Sequence, residues 1–235
     1  MKTILPALLL AAIASAQPSF EVASIKPNNS GDGNESSNDH PGSLAMKNVS
    51  LRNIIEKAYD LKRYSLIAPD WIDNLHFDVN ARMDETAKRE DIRLMMQSLL
   101  KERFQLKAHN EQKTMSAYAL LPAKTGFKLK PAEGEAGGTS SNSNNGNVSA
   151  TFKHISIQQL AEYLSHRMDR PVIDESAIPG FYDFALEWST GKSADETGPS
   201  IFSVLQEKLG LRLEAKKLPV EILVVDSISR TPTEN

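Results

Sequence analysis

A residue pattern that occurs twice constrains the fold of this chain more than any other feature. Its two copies occupy residues 42–59 and 146–164. In each copy a polar turn that begins with glycine precedes a short alternating run, and Val-Ser-Leu or Ile-Ser-Ile then opens an amphipathic helix. Both copies continue to an Asp between two apolar side chains, at 77–79 and 182–184. Because duplicated units dictate an architecture, we predict an α+β fold of two similar repeats, each a small mixed sheet with two helices packed on it.

Residues with known capping roles mark the ends of the predicted helices. Ser50 and Ser200 precede apolar residues at helical spacing, so each is expected to cap a helix N-terminus with its hydroxyl. Gly210 follows the helix that Ser200 opens. Helices often end on a residue in the left-handed conformation, which glycine adopts readily because it has no Cβ. The helix is therefore predicted to end at Gly210.

The N-terminus, residues 1–16, has the three parts of a secretory signal peptide. A basic start at Lys2 leads into an apolar stretch, and a small-x-small cleavage site ends at Ala16. The apolar stretch is shorter than the ~20 residues that a membrane-spanning helix needs, and no later stretch is apolar enough. We expect a chain that is exported to the periplasm or secreted, with no transmembrane segment after signal removal.

Composition predicts two units joined by a linker. Residues 131–145 are rich in Gly, Ser and Asn, which is typical of a flexible linker. The first α+β unit is therefore predicted at 17–130 and the second at 146–235. Residues 28–41 contain no aliphatic side chain, so we expect a loop there.

Charge and cysteine content exclude several classes of function. The chain has 27 basic and 30 acidic residues, a net charge of −3, and no block of basic residues. It therefore has no electrostatic basis for binding nucleic acid. It also has no Cys, which excludes disulfides, a thiolate nucleophile and Cys-based zinc sites.

The sequence has no coherent set of catalytic residues. None of the five histidines is paired at metal-binding spacing. Ser189 and Lys192 match a Ser-x-x-Lys motif, and Lys124 opens a Lys-Thr-Gly triplet, but their order is the reverse of that in acyl-enzymes of the penicillin-binding kind. We predict no enzymatic activity, no cofactor and no metal.

Five residues are candidates for contact with a ligand or partner. Asp78 and Asp183 occupy matching positions in the two copies. Either each of them stabilises a turn or faces solvent, or the two together form a paired binding site. Trp71, Tyr182 and Trp188 lie at junctions of strands and turns, where they could belong to the core or line a groove. Trp188 borders a polar loop and is the aromatic residue most expected to contact a ligand.

Residues 148–228 resemble the short N-terminal domain shared by secretins and TonB-dependent receptors. The resemblance is carried by the order of helices and strands around Arg-Pro-Val-Ile-Asp at 170–174 and Leu-Gly-Leu at 209–211. It implies a small sandwich of two βαβ units that binds partner proteins and has no catalytic residues.

The whole chain resembles a large secreted family of unknown function that is expanded in soil acidobacteria. Motifs at 20–27, 69–71, 99–106, 170–174 and 180–188 carry this resemblance. It implies export and a shared fold, and it assigns no catalytic or ligand-binding residue.

These observations favour a non-enzymatic exported binding module of the cell envelope that acts through protein–protein contacts, with an unknown envelope protein as its partner. A small-ligand sensor or carrier, with its ligand between the two units, is the first alternative and predicts an aromatic-lined pocket. A hydrolase whose site is not visible in the sequence is the second, and it predicts a buried carboxylate with a raised pKa in a cleft.

Overall fold

Strands account for most of the regular structure in the computed structural model, which describes residues 18–31, 34–134, 137–191 and 198–233. Of these residues, 44% lie in strands and 24% in helices. The α-helices are α1 (Leu51–Tyr59), α2 (Arg89–Phe104), α3 (Ile157–Ser165) and α4 (Ile201–Val204). No helix in the described ranges is long and apolar enough to cross a membrane. The predicted signal peptide lies outside the described residues.

The strands form three sheets. Their bounds are β1 (Val22–Pro27), β2 (Ser36–His40), β3 (Ser43–Ser50), β4 (Leu66–Ile67), β5 (His76–Arg82), β6 (Lys107–Pro122), β7 (Gly138–Asn144), β8 (Asn147–Ile155), β9 (Val172–Asp174), β10 (Tyr182–Ser189) and β11 (Leu211–Ser227). The sheets β1-β5-β3-β2 and β10-β8-β7 are antiparallel. The third, β4-β11-β6-β9, contains the two longest strands, and β4 and β9 join it in parallel pairing.

The prediction of two similar repeats, each with two helices on one small sheet, is wrong. The described residues form three sheets, and α4 has only four residues before the chain continues as a π-helical turn, Leu205–Leu209. Strand β6 runs unbroken for 16 residues through a polar stretch that the sequence divides into two strands. Ladder hydrogen bonds join backbone groups and need no particular side chain, so apolar periodicity did not show this extension.

Residue contacts divide the described chain into two compact units. Unit 1 contains the described residues up to His109 and those from Leu223 onward, and unit 2 contains Asn110–Ile222. Both boundaries fall within long strands, β6 and β11, which differs from the predicted division into 17–130 and 146–235. The predicted linker, 131–145, includes β7, which backbone hydrogen bonds to β8 hold in place.

Unit 1 has one hydrophobic core to which its antiparallel sheet and both of its helices contribute. Ser50 caps α1 as predicted, since its hydroxyl accepts a hydrogen bond from the Asn53 N–H at 3.2 Å. Phe104, the last residue of α2, is fully buried. Its ring meets that of Phe77 in β5 edge to face, with centroids 5.0 Å apart.

Unit 2 buries one face of the sheet β10-β8-β7 with α3 and α4. Ser156 and Gln159 form a capping box at the start of α3. Ser200 caps α4 as predicted, accepting a hydrogen bond from the Ser203 N–H at 3.2 Å. Gly210 ends the helical segment with a φ of 68°, also as predicted.

Candidate functional site

In unit 1, the carboxylate of Asp78 holds a bent stretch of backbone. Its Oδ1 accepts hydrogen bonds from the Asn28 Nδ2–H at 2.7 Å and from the Asn48 N–H at 2.8 Å. Asn48 has a φ of 54° and lies where the register between β3 and β5 shifts. The hydrogen bond from Asn28, followed by that from Asn48, lowers the pKa of Asp78.

In unit 2, Asp183 has the matching arrangement. Its Oδ1 accepts a hydrogen bond from the His154 N–H at 2.7 Å, and Lys153 Nζ lies 3.3 Å from Oδ2. His154 has a φ of 49° and lies beside a register shift between β8 and β10. The His154 backbone hydrogen bond is the main cause of the lowered pKa of Asp183. In each unit, the carboxylate therefore stabilises one left-handed residue next to a strand irregularity.

Trp71 and Tyr182 contribute to packing within their own units. Trp71 lies in a 3-10 turn against the core of unit 1, with the Arg230 guanidinium 4.8 Å from its ring centroid. Tyr182 is buried, and its hydroxyl donates to the Pro179 carbonyl oxygen at 2.7 Å. Its ring meets that of Phe127 edge to face.

Two of the five candidate residues line cavities: Asp78 lines one of about 300 Å³ in unit 1, and Trp188 lines two in unit 2. Two cavities of unit 2, of about 490 and 320 Å³, both include it in their walls; we call them the larger and the smaller cavity. The side chain is 5% exposed. No described residue accepts a hydrogen bond from its indole N–H, so this donor is available to a bound group.

The larger cavity combines aromatic and polar side chains. Phe202, which is 40% exposed, meets Tyr118 edge to face with ring centroids 5.4 Å apart. Arg167 stacks over the Tyr163 ring at 3.7 Å and donates to the Ser141 hydroxyl at 3.0 Å. The other lining residues are Ser143, Val148, Leu164, His166, Met168, Asp169, Ser189, Thr190 and Ile201.

Strand β7 separates the two cavities. Ser141 and Ser143 line the larger cavity, whereas Asn142 and Asn144 line the smaller one. Successive side chains of a strand point to opposite faces of its sheet. The cavities therefore lie on opposite faces of the sheet beside the same strand.

The turn that joins β7 to β8 determines which backbone groups of β7 point away from β8. Asn145 and Gly146 have φ values of 47° and 78°, which is typical of a two-residue type I′ hairpin turn. The flanking Asn144 and Asn147 are paired across it and are hydrogen-bonded to each other in such a hairpin. By alternation, Thr139, Ser141 and Ser143 direct their N–H and C=O groups outward; we call these groups the β7 edge.

The β7 edge lacks the features that keep a strand from pairing with another chain. Natural edges are blocked by charges, prolines, bulges or short length. Other edges of the described sheets have Pro27 in β1, Asp39 in β2 and Glu187 in β10, or are as short as β4 and β9. Strand β7 has seven residues, all exposed, with no charge, no proline and no register shift.

The larger cavity has one His and one Asp in its wall, His166 and Asp169, and the smaller cavity has Glu187. Within the described ranges, no group of three or more His, Asp or Glu residues could hold a metal ion. Burial raises the pKa of the Glu56 carboxyl, opposed by Arg52 at 3.8 Å. Glu56 belongs to unit 1 and lines neither of the cavities beside β7.

Sequence reasoning identified Trp188 but missed the strand and the side chains around it. Tyr118, Phe202 and Arg167 come from three separate segments, so no local pattern brings them together. The strand itself had a signal in Asn145-Gly146, the dipeptide most typical of a two-residue hairpin. A hairpin was not predicted there because the residues before this dipeptide do not alternate between apolar and polar side chains.

The fold and the site define a mostly β-sheet protein with three sheets and, within the described residues, a strand edge open to pairing that has a cavity on each face beside it. The chain belongs to the family DUF3738, described as a protein of unknown function, whose model matches residues 52–228. No curated protein matches the chain significantly. No solved structure does either.

Proposed function

We propose that this chain is an exported, non-enzymatic binding module of the cell envelope, and that it binds a partner protein at the β7 edge. The outward backbone groups of Thr139, Ser141 and Ser143, with a cavity on each face of the sheet, carry this proposal. An extended segment that pairs with such an edge gains main-chain hydrogen bonds and places alternate side chains in pockets.

Two features of the sequence support the exported and protein-binding parts of the proposal. The signal-like residues 1–16 support export, as does the resemblance to a secreted acidobacterial family. The resemblance of residues 148–228 to the short N-terminal domain of secretins and TonB-dependent receptors supports a protein partner, because those domains act by binding other proteins.

Photo-crosslinking in the producing cell tests the proposal. A photoreactive amino acid is placed at Asn142, whose side chain lies beside the β7 edge, or at Thr151, which is exposed on the same sheet but one strand further in. We expect a crosslinked protein adduct from position 142 in the envelope or secreted fraction, and little or none from position 151. Loss of residues 1–16 from the recovered protein, measured by mass spectrometry, tests export.

Two variants of Ser141 show whether the β7 edge itself is responsible. Ser141→Pro removes an outward N–H, and proline is tolerated where the N–H of an edge strand faces solvent. Ser141→Ala is the matched control, since both variants lose the hydroxyl that Arg167 contacts, but only proline removes the N–H. We expect the adduct to disappear with proline and to remain with alanine. An adduct that persists in a folded Ser141→Pro variant would refute binding at this edge.

A small-ligand carrier is the second candidate, because the larger cavity has a volume of about 490 Å³ and three aromatic side chains in its wall. This volume is within the range of small-molecule sites, roughly 300–1,000 Å³. A ligand that binds only the folded chain would raise its melting temperature with concentration. A thermal-shift screen measures this effect, and a Phe202→Ser variant should weaken it.

A further inference from the structure

We infer that the partner segment carries a large apolar side chain, best an aromatic one, that enters the larger cavity, and a polar side chain at the next position, on the face that carries Asn142. This inference rests on the proposed pairing at the β7 edge and names the chemistry of the segment that pairs there.

The register of an added strand follows from that of β7. Side chains directly opposite each other on neighbouring strands lie on the same face of a sheet. A residue opposite Ser141 or Ser143 therefore lies on the face of the larger cavity, and one opposite Asn142 lies on the face of the smaller cavity. One extended segment consequently reaches both cavities with alternate side chains.

The larger cavity is suited to an apolar side chain because β7 contributes only short hydroxyl groups to it. The buried side chains of Val148 and Trp188 line it further inside the sheet. Phe202 is 40% exposed at its wall, which leaves apolar area that a partner side chain can cover. Aromatic rings favour edge-to-face neighbours, so an added aromatic ring extends the existing pair of Phe202 and Tyr118.

The smaller cavity has the opposite character. It is lined by Asn142, Asn144 and the exposed carboxylate of Glu187, among other residues. Glu187 lies in β10, at the far side of the sheet from the β7 edge, so an added strand would be about 14 Å from it. The neighbours of an added residue on this face are Asn142 and Asn144, whose amide groups can hydrogen-bond to a polar side chain.

A second copy of this chain fits the site less well. Two β7 strands in antiparallel pairing would present only Thr139, Ser141 and Ser143 to each larger cavity. These side chains cannot cover the exposed ring of Phe202. The site therefore favours a different protein as its occupant.

Selection from a library of short random peptides, with the full mature chain as bait, tests the inference. We expect the enriched peptides to share a large apolar residue flanked by polar residues, and to bind Ser141→Ala but not Ser141→Pro. Replacing the apolar residue of a selected peptide by Ser should weaken binding by about tenfold or more, as measured by fluorescence anisotropy. Phe202→Ser in the protein should have a similar effect. Phe181→Ser is the matched control, since Phe181 is 45% exposed and lines neither cavity.

Every other outcome of the peptide selection contradicts one step of the inference. Peptides that need the Ser141 N–H but lack an apolar residue would overturn the inference and leave pairing at the β7 edge intact. Peptides whose affinity is unchanged by Phe202→Ser would do the same. Binders that are indifferent to Ser141→Pro, or no binders at all, would overturn it as well. Self-association that Ser141→Pro abolishes would assign the edge to a second copy. The crosslinking experiment decides the proposed function independently of these results.

Discussion

Replacing Gly210 by Ala tests how closely two backbone segments of unit 2 are held together. Gly210 has a φ of 68°, and a Cβ added there would overlap the carbonyl oxygen of Gly126. Two backbone hydrogen bonds join the same segments, from the Ala123 N–H to the Gly210 oxygen at 2.8 Å and from the Lys128 N–H to the Leu209 oxygen at 3.0 Å. The added methyl group therefore cannot be accommodated without lengthening these bonds.

The expected loss of stability has two parts. A left-handed conformation costs an L-residue with a Cβ about 1–2 kcal/mol. Each weakened backbone hydrogen bond adds about 1 kcal/mol. Gly210→Ala should therefore lower the free energy of unfolding by about 3–4 kcal/mol.

Gly126→Ala is the matched control, because Gly126 has a φ of 79° but no atom within 4 Å of an added Cβ. It should lose only the conformational part, about 1–2 kcal/mol. Urea unfolding of both variants, followed by Trp188 fluorescence in a Trp71→Phe background, measures the difference. Equal losses for the two variants would refute the steric argument, because then only the left-handed conformation would matter.

Three further predictions concern separate parts of the chain. Asp78→Asn should lower the free energy of unfolding by about 1 kcal/mol at pH 7. Because the folded pKa of Asp78 is lowered, this stability is present above the unfolded pKa and disappears as pH falls through the folded pKa. Urea titrations of variant and wild type should therefore converge in acid, below the folded pKa. Phe104→Ala should cost about 4 kcal/mol and Phe104→Leu clearly less, since the ring is fully buried against another aromatic ring; equal losses in urea titrations would contradict this packing. Gly146→Ala should strain the type I′ turn and speed hydrogen exchange of the Asn142 amide, whereas unchanged exchange would show that the turn does not hold β7.

Elements with a buried face could be predicted from the sequence. Ser50, Ser200 and Gly210 were assigned correct roles because helix capping depends on local residue chemistry. The apolar residues of α1 and α3 recur at helical spacing because one face of each helix is buried.

The missed strands have the opposite property. All residues of β2 and β7 are exposed, so neither strand has the alternation that identifies a half-buried strand. Backbone pairing with β3 and β8 holds them in place, and the sequence records this only through the turns at Gly42 and Gly146. The candidate site was missed for the same reason, since its central strand resembles a linker.

The side chains around the site depend on contacts between distant parts of the sequence. Tyr118 in β6 meets Phe202 in α4, and a pairing across so long a separation has no local signature. Trp188 could be singled out only because it borders a polar loop. Its place between two cavities follows from the sheet to which β10 belongs.

Unit 1 is formed by two separate parts of the sequence, and this determines the order in which the two units can be completed. Leu223 and Val225 are buried in the core of unit 1, although the rest of that core precedes residue 110. Chains are synthesised from the N-terminus, so all of unit 2 is available before unit 1 has its last strand. Nascent chains arrested once residue 222 has emerged should protect unit 2 from protease and leave unit 1 sensitive; the reverse pattern would contradict this order. The part of the protein that is made first is then the last to be completed.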